Sequence, residues 1–340
     1  METKVKLDFY NIESFGYYKK NEIEPKFGYC SDILNQLKIW LNGKNISQTN
    51  TFTNSDQESA VLQVYCPELL NNTAKSSFLL HLWNEIPNDG NTVQSLNGDK
   101  PVGSVNVESA NVPDGGIPGF PTYFWFLPEQ RLFACVRINE SLQIGRGDME
   151  KYIIGFMKKY SKYVRLIKSE DNPETKHILF AENEDANPRY LYPKFNSRLS
   201  KHKTKIQELR QKCSKIMKII KKETISLNDT QKRKRFNLFK SFLSLAPSPK
   251  SEKEVKYRYE LNTTLTTKEL NNIINSYDYR NYKKEDIAFC FDSNKKIWLS
   301  QTVCKIEDKL DIEFNKQTPS LQSLFDALEQ QRDSYLSLIR

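Results

Sequence analysis

Three residues near the C-terminal end have the types and spacing for phosphodiester chemistry. Asp292 closes an apolar run, Phe289-Cys290-Phe291, that reads as a strand, and Glu307-Asp308-Lys309 follows about one strand later. On an extended chain Glu307 and Lys309 share a face. An Asp together with Glu-x-Lys is a set in which carboxylates hold Mg²⁺ and the lysine supports the nucleophile or the phosphate, as in a metal-dependent nuclease. In a chain with 27% charged residues such triplets also arise by chance, so solvated hairpin side chains are the plain alternative. Glu174-Thr175-Lys176 near Asp171 is a weaker set of the same kind. There is no nucleophile elbow, Walker A loop or glycine-rich dinucleotide fingerprint. The three histidines, His81, His177 and His202, lack ligand-like neighbours at helical or strand spacing, and no metal or cofactor is expected. The six cysteines are far apart and read as reduced core thiols.

Charge offers a stronger signal. Between Lys194 and Arg258 there are 20 Lys or Arg against 5 Asp or Glu, a local net of +15. The whole chain is +9, so the other 275 residues, with 31 basic and 37 acidic side chains, sum to −6. Charge confined to one segment creates a directed potential whose natural counterpart is a polyanion such as nucleic acid; a solvated Lys-rich surface is the bland alternative. Leu199, Ile206, Leu209, Cys213, Ile216 and Ile220 recur at three- and four-residue steps, which predicts one amphipathic helix over 199–222. Its other side would carry Lys201, Lys205, Lys212, Lys215, Lys218 and Lys222 along about 30 Å of axis, a cationic rail for phosphates. The apolar stripe would pack on the protein's own core or form a dimer seam. Lys232, Arg233, Lys234 and Arg235 open a second basic helix capped by Asn228 or Asp229, either extending the same surface or, in a nuclear protein, serving as a localisation signal. Lysine is a point charge suited to phosphate, whereas base reading favours Arg, Asn and Gln, so binding independent of sequence is expected.

The elements that would position these groups predict an α+β fold with mixed or antiparallel sheets and amphipathic helices. Strands are predicted over 4–18, 60–66, 77–84, 177–180, 255–261, 287–292, 297–306 and 310–314. Helices are predicted over 31–40, from Asp148 to about Ile167, over 266–276 and over 320–339. Residues 119–138 read as an aromatic hairpin turning at Pro128-Glu129-Gln130; its rings could stack bases, but both faces are apolar and a buried sheet is the expectation. The Asn-, Gly-, Asp- and Pro-rich 87–121 stretch reads as a long loop, and Ala246-Pro247-Ser248-Pro249 as a linker. The resulting division is an N-terminal α+β domain over 1–190, a basic helical segment over 191–246 and a C-terminal α+β domain over 250–340. No apolar h-region follows Met1 and no stretch reaches about 18 apolar residues, so a cytoplasmic protein without direct membrane insertion is expected.

The order of several short motifs resembles the RexA family of the lambda phage exclusion system. The motifs are Phe9-Tyr10 in the first strand, the helix near Ile33–Leu41, Gly119-Phe120-Pro121 leading into the aromatic strand, the helix after the hairpin, His177-Ile178-Leu179-Phe180, and Pro193-Lys194-Phe195 ahead of the Lys-rich segment. The resemblance covers roughly residues 5–215; longer 40–60 and 87–118 segments and an enlarged C-terminal part depart from it, leaving the last 90 residues without a template. It implies a cytoplasmic, dimeric sensor that binds DNA without sequence preference and triggers an abortive response to phage through a membrane-protein effector. It brings no catalytic residues. The alternatives are the nuclease-type effector centred on Asp292, Glu307 and Lys309, and an adaptor whose basic face meets an acidic protein.

Overall fold

Val5, Leu7 and Phe9 alternate with polar residues, and the strand they predict is the long β1 (Glu2–Tyr18), with all three side chains fully buried. A computed structural model describes residues 2–52, 62–86, 93–97, 99–103, 107–110, 115–139, 145–168, 176–226, 254–277, 285–291, 295–316 and 318–339. It is an α+β structure in which every strand pairing with a described register is antiparallel. Two compact units divide the chain: residues 1–198 with 305–335, and residues 199–304 with 336–340. Each unit is thus discontinuous in sequence, unlike the contiguous segments expected.

In the first unit, α1 (Cys30–Leu41) buries Ile33, Leu34 and Leu37 as expected, while Trp40 lies half-buried against Phe156 and Tyr160. Strands β2 (Val64–Asn72) and β3 (Ser77–Glu85) form a hairpin. The 87–121 stretch is not all loop: it holds β4 (Val93–Asn97), β5 (Val107–Ala110) and the start of β6 (Gly116–Leu127). β6 turns through a 3₁₀ helix, Pro128–Gln130, into β7 (Leu132–Ile138), and Tyr123 to Leu127 are all buried. The aromatic hairpin is therefore core sheet and not an exposed stacking surface.

The helix that follows, α2 (Arg146–Lys159), starts at Arg146 with Gly145 as its cap and ends well before Ile167. Val164, Leu166 and Ile167 belong to β8 (Val164–Lys168), which among the described residues pairs with β9 (Lys176–Phe180) alone. The β-branched Val164 and Ile167 favour the extended chain, and a partner strand is within reach. β10 (Tyr192–Leu199) completes the main sheet order β10-β1-β7-β6-β3-β2.

The second unit contains α3 (Lys203–Gln211), a 3₁₀ turn over Cys213–Lys215, β11 (Ile216–Ser226), β12 (Glu254–Asn262), α4 (Thr267–Ser276), β13 (Glu285–Phe291) and β14 (Lys296–Trp298). Its sheet order is β12-β11-β13-β14, so β11 is flanked on both sides. α4 opens with a capping box in which Thr266 and Glu269 bond reciprocally.

The chain then returns to the first unit. β15 (Lys305–Asp311) lies antiparallel along Glu2–Asp8 of β1, β16 (Phe314–Asn315) and β17 (Thr318–Pro319) make a small hairpin, and α5 spans Leu321–Ile339. Opposed residues in an antiparallel register project to one face. One face of the main sheet presents Leu7, Trp125 and Leu79, and α5 covers it, with Tyr335 edge-on to Trp125. The other presents Phe124, Phe133 and Cys135; there α2 enters, Gly145 lying against Thr122 and the Arg146 guanidinium over the Tyr10 ring.

Candidate nucleic-acid interface

The single basic helix predicted over 199–222 does not form. Helix α3 stops at Gln211, and from Ile216 the chain is strand. Ile216, Ile219, Ile220, Thr224 and Ile225 give this stretch a high content of β-branched residues, and pairing to β12 and β13 supplies ladder bonds that a lone helix end would lack. The stripe was nonetheless a correct reading of burial, since Leu199, Ile206, Leu209, Cys213, Ile216 and Ile220 are all buried. A register shift between Ile216 and Lys218 lies within this stretch.

The six lysines of the expected rail consequently part company. Lys201 Nζ donates to the Ile274 carbonyl at 3.0 Å, and Lys205 Nζ to the Gln301 carbonyl at 2.7 Å. Lys212 pairs with Glu208 at 2.8 Å, and the Glu208 carboxyl, bonded by Lys212 and Lys295, is held down at about 2. Lys218 pairs with Glu260 at 2.9 Å, and bonds from Lys218 and Arg258 keep that carboxyl below the usual range. Lys222 sits over the Trp298 ring, 4.4 Å from its centroid. Lys215 is exposed, and among the described residues no carboxylate lies within 4 Å of it. Among the described residues, carboxylates of the protein itself thus neutralise Lys212 and Lys218, and the continuous helical rail is lost.

What the sheet assembles instead was not visible in the sequence. The registers Lys222↔Arg258, Thr224↔Lys256, Lys218↔Cys290 and Cys290↔Lys296 put Lys218, Lys222, Lys256, Arg258 and Lys296 on one face. Glu260 and Asp286 are the acids among the described side chains of that face, and Asp286 accepts from the Tyr277 and Ser300 hydroxyls. Lys203, at the first turn of α3, adds a further exposed cation. Alternation within β12 could have signalled Lys256 and Arg258, but their grouping with Lys222 and Lys296 depends on pairing between distant strands. Lys232, Arg233, Lys234 and Arg235 lie outside the described residues, as do the linker at 246–249 and the helix expected after Asn228.

Of the nuclease-type set, Glu307 and Lys309 are described, and both are engaged in surface ion pairs. Glu307 and Lys309 do share a face of β15, but Glu307 is exposed and bridged by Lys6 at 3.1 Å and Lys4 at 3.4 Å. The bond from Lys6 is the main reason its carboxyl sits below the ordinary carboxylate range. Lys309 pairs with Glu2 at 2.9 Å. Asp292, Asp171 and Glu174 lie outside the described residues. Among those described, no group of three or more His, Cys, Asp or Glu is placed to hold a metal ion. Five of the six free cysteines are buried, and burial pushes the Cys30, Cys66 and Cys304 thiols up, the last to about 11. No described helix is long and apolar enough to cross a membrane. No family model matches the chain, and neither a curated protein nor a solved structure matches it.

Proposed function

We propose that this chain binds the backbone of nucleic acid, DNA in the first place, without reading its sequence, and acts as a sensor in a phage-exclusion response. The observation that carries the reading is the partition of charge between the two compact units. The second unit holds 25 Lys or Arg against 11 Asp or Glu, a net of +14, and the first holds 26 against 31, a net of −5. A unit of 111 residues with that imbalance repels itself, and a polyanion is the partner that relieves the repulsion. Lysine outnumbers arginine among its exposed cations, which favours phosphate over base edges. The exposed Lys203 and Lys215, Lys222 above Trp298, and the sheet-face cations Lys256 and Lys296 are the contacts proposed; Lys212 and Lys218 serve internal ion pairs first.

The resemblance to the RexA family supports the wider setting: a cytoplasmic homodimer signalling to a membrane-protein effector. Fluorescence anisotropy with two unrelated duplexes of equal length tests the binding, and equal affinity for both is expected. A large preference for one duplex, or no binding at moderate salt, would reject it. Incubating the purified chain with DNA and RNA in Mg²⁺ separates this reading from a nuclease, because a sensor leaves both polymers intact. An adaptor for an acidic protein would ignore duplex DNA altogether.

A further inference from the structure

The first unit contains a cavity of about 460 Å³, within the range of small-ligand sites, between the second half of β1, the start of α1 and the β6–β7 turn. We propose that it binds an organic ammonium ion: a primary amine on an alkyl chain, carried either by a free polyamine or by a lysine side chain of a partner peptide.

The lining has three carboxylates, Glu13, Glu24 and Glu129, against one guanidinium, Arg131. Glu13 is engaged by Arg198 at 2.9 Å, and Arg131 donates to the Glu13 carbonyl at 3.2 Å. Among the described residues no basic group lies within 4 Å of Glu24 or Glu129, so neither is held in a direct ion pair and the lining stays net acidic. A phosphate or carboxylate ligand would meet net repulsion there, and an ammonium ion net attraction. Aromatic walls strengthen the case, because the faces of tyrosine rings attract cations. The Tyr18 ring is taken by the Lys194 ammonium, 4.9 Å from its centroid, which leaves the exposed Tyr29 ring for a ligand. At the mouth Ile23 and Tyr29 are 89% and 59% exposed, which leaves apolar surface for the methylenes of an alkyl amine.

The backbone around the cavity is also unusual. Ser76 and Arg131, both in the lining, have φ of 48° and 52°, left-handed values that non-glycine residues rarely adopt. Residues held this way concentrate at ligand-binding positions. This inference does not depend on the nucleic-acid reading, which concerns the other unit.

The test is calorimetric titration of the nucleic-acid-free full chain with putrescine, spermidine, an N-acetyl-lysine-amide peptide and, at matched ionic strength, MgCl₂. Saturable binding of at least one amine is expected, weakened about tenfold or more by Glu24→Gln with Glu129→Gln, and several-fold by Tyr29→Ala. Circular dichroism of the variants checks that they fold, since all three positions are at the surface of the cavity. Binding of the polyamines identifies a free ligand, and binding of the peptide alone identifies a partner's lysine. No binding of any amine up to about 10 mM, equal heats with MgCl₂, or unchanged affinity in the double variant would overturn the proposal.

Discussion

Replacing Glu329 with alanine should destabilise the first unit more than any surface substitution. Glu329 and Arg332 stand one turn apart on α5, each only 8% exposed, inside an otherwise apolar interface. Glu329 accepts the Trp125 indole N–H at 2.8 Å, lies 3.4 Å from Arg332 and takes Lys75 at 3.7 Å. Arg332 also donates to the Lys75 carbonyl at 2.8 Å and to Gln130 at 3.2 Å. Removing the carboxylate leaves a buried guanidinium without its counter-charge and an indole N–H without an acceptor. Breaking such a pair costs about 3–5 kcal/mol, and the two bonds Arg332 keeps put the expectation near 3. With a urea slope of about 2–3 kcal/mol/M, the midpoint should fall by about 1 M or more. Glu329→Gln retains an acceptor for Trp125 and should lose about half as much. The pair Glu329→Leu with Arg332→Met should recover most of the loss, because apolar replacements remove both charges together. Urea unfolding followed by near-ultraviolet circular dichroism reads all three. A Glu329→Ala midpoint within about 0.2 M of the parent would refute the reasoning.

Two further outcomes follow from packing and burial. Burial holds the His81 imidazole neutral, its pKa down at about 3, whereas in the unfolded chain it titrates near the ordinary value. The unfolded state therefore takes up the proton first as pH falls below about 6.5, and stability should drop by up to about 1.4 kcal/mol per pH unit toward pH 3. His81→Phe, which keeps a ring against Tyr123, should flatten urea midpoints measured from pH 7 to 4, and parallel curves would refute this. Gly119→Ala should cost about 2 kcal/mol or more, since the new Cβ would lie 2.3 Å from the Asn84 carbonyl oxygen and 2.5 Å from Trp83 Nε1. Gly147→Ala meets nothing within 4 Å and should be neutral or slightly stabilising; thermal melts of both variants check the contrast.

Local pattern carried much of the architecture. β1, the aromatic hairpin, α1, α4 and α5 were legible because each has its own period, cap or turn. The failures came where partners distant in sequence decided the outcome. Ile216 and Ile220 satisfy a helical step and also sit inward on a bulged strand, so burial was readable while the element was not. Val164 to Ile167 posed the same ambiguity at the end of α2. In the 87–121 stretch, turn-forming composition hid β4 and β5, which pair with each other and, through β4, with β6. The shared face of Glu307 and Lys309 was legible, but Lys4, Lys6 and Glu2, which engage them, come from the opposite end of the chain.

The most direct test of nucleic-acid binding by the basic unit is the dependence of duplex affinity on salt. A phosphate-tracking surface gives a log–log slope of about −0.9 for every contact, so the intact chain should show a steep negative line. Replacing Lys203, Lys215 and Lys222 with glutamine should reduce the slope by about 2–3 without changing it differently between sequences. An affinity indifferent to salt, or a slope unaltered in the triple variant, would contradict a phosphate-binding role for those lysines.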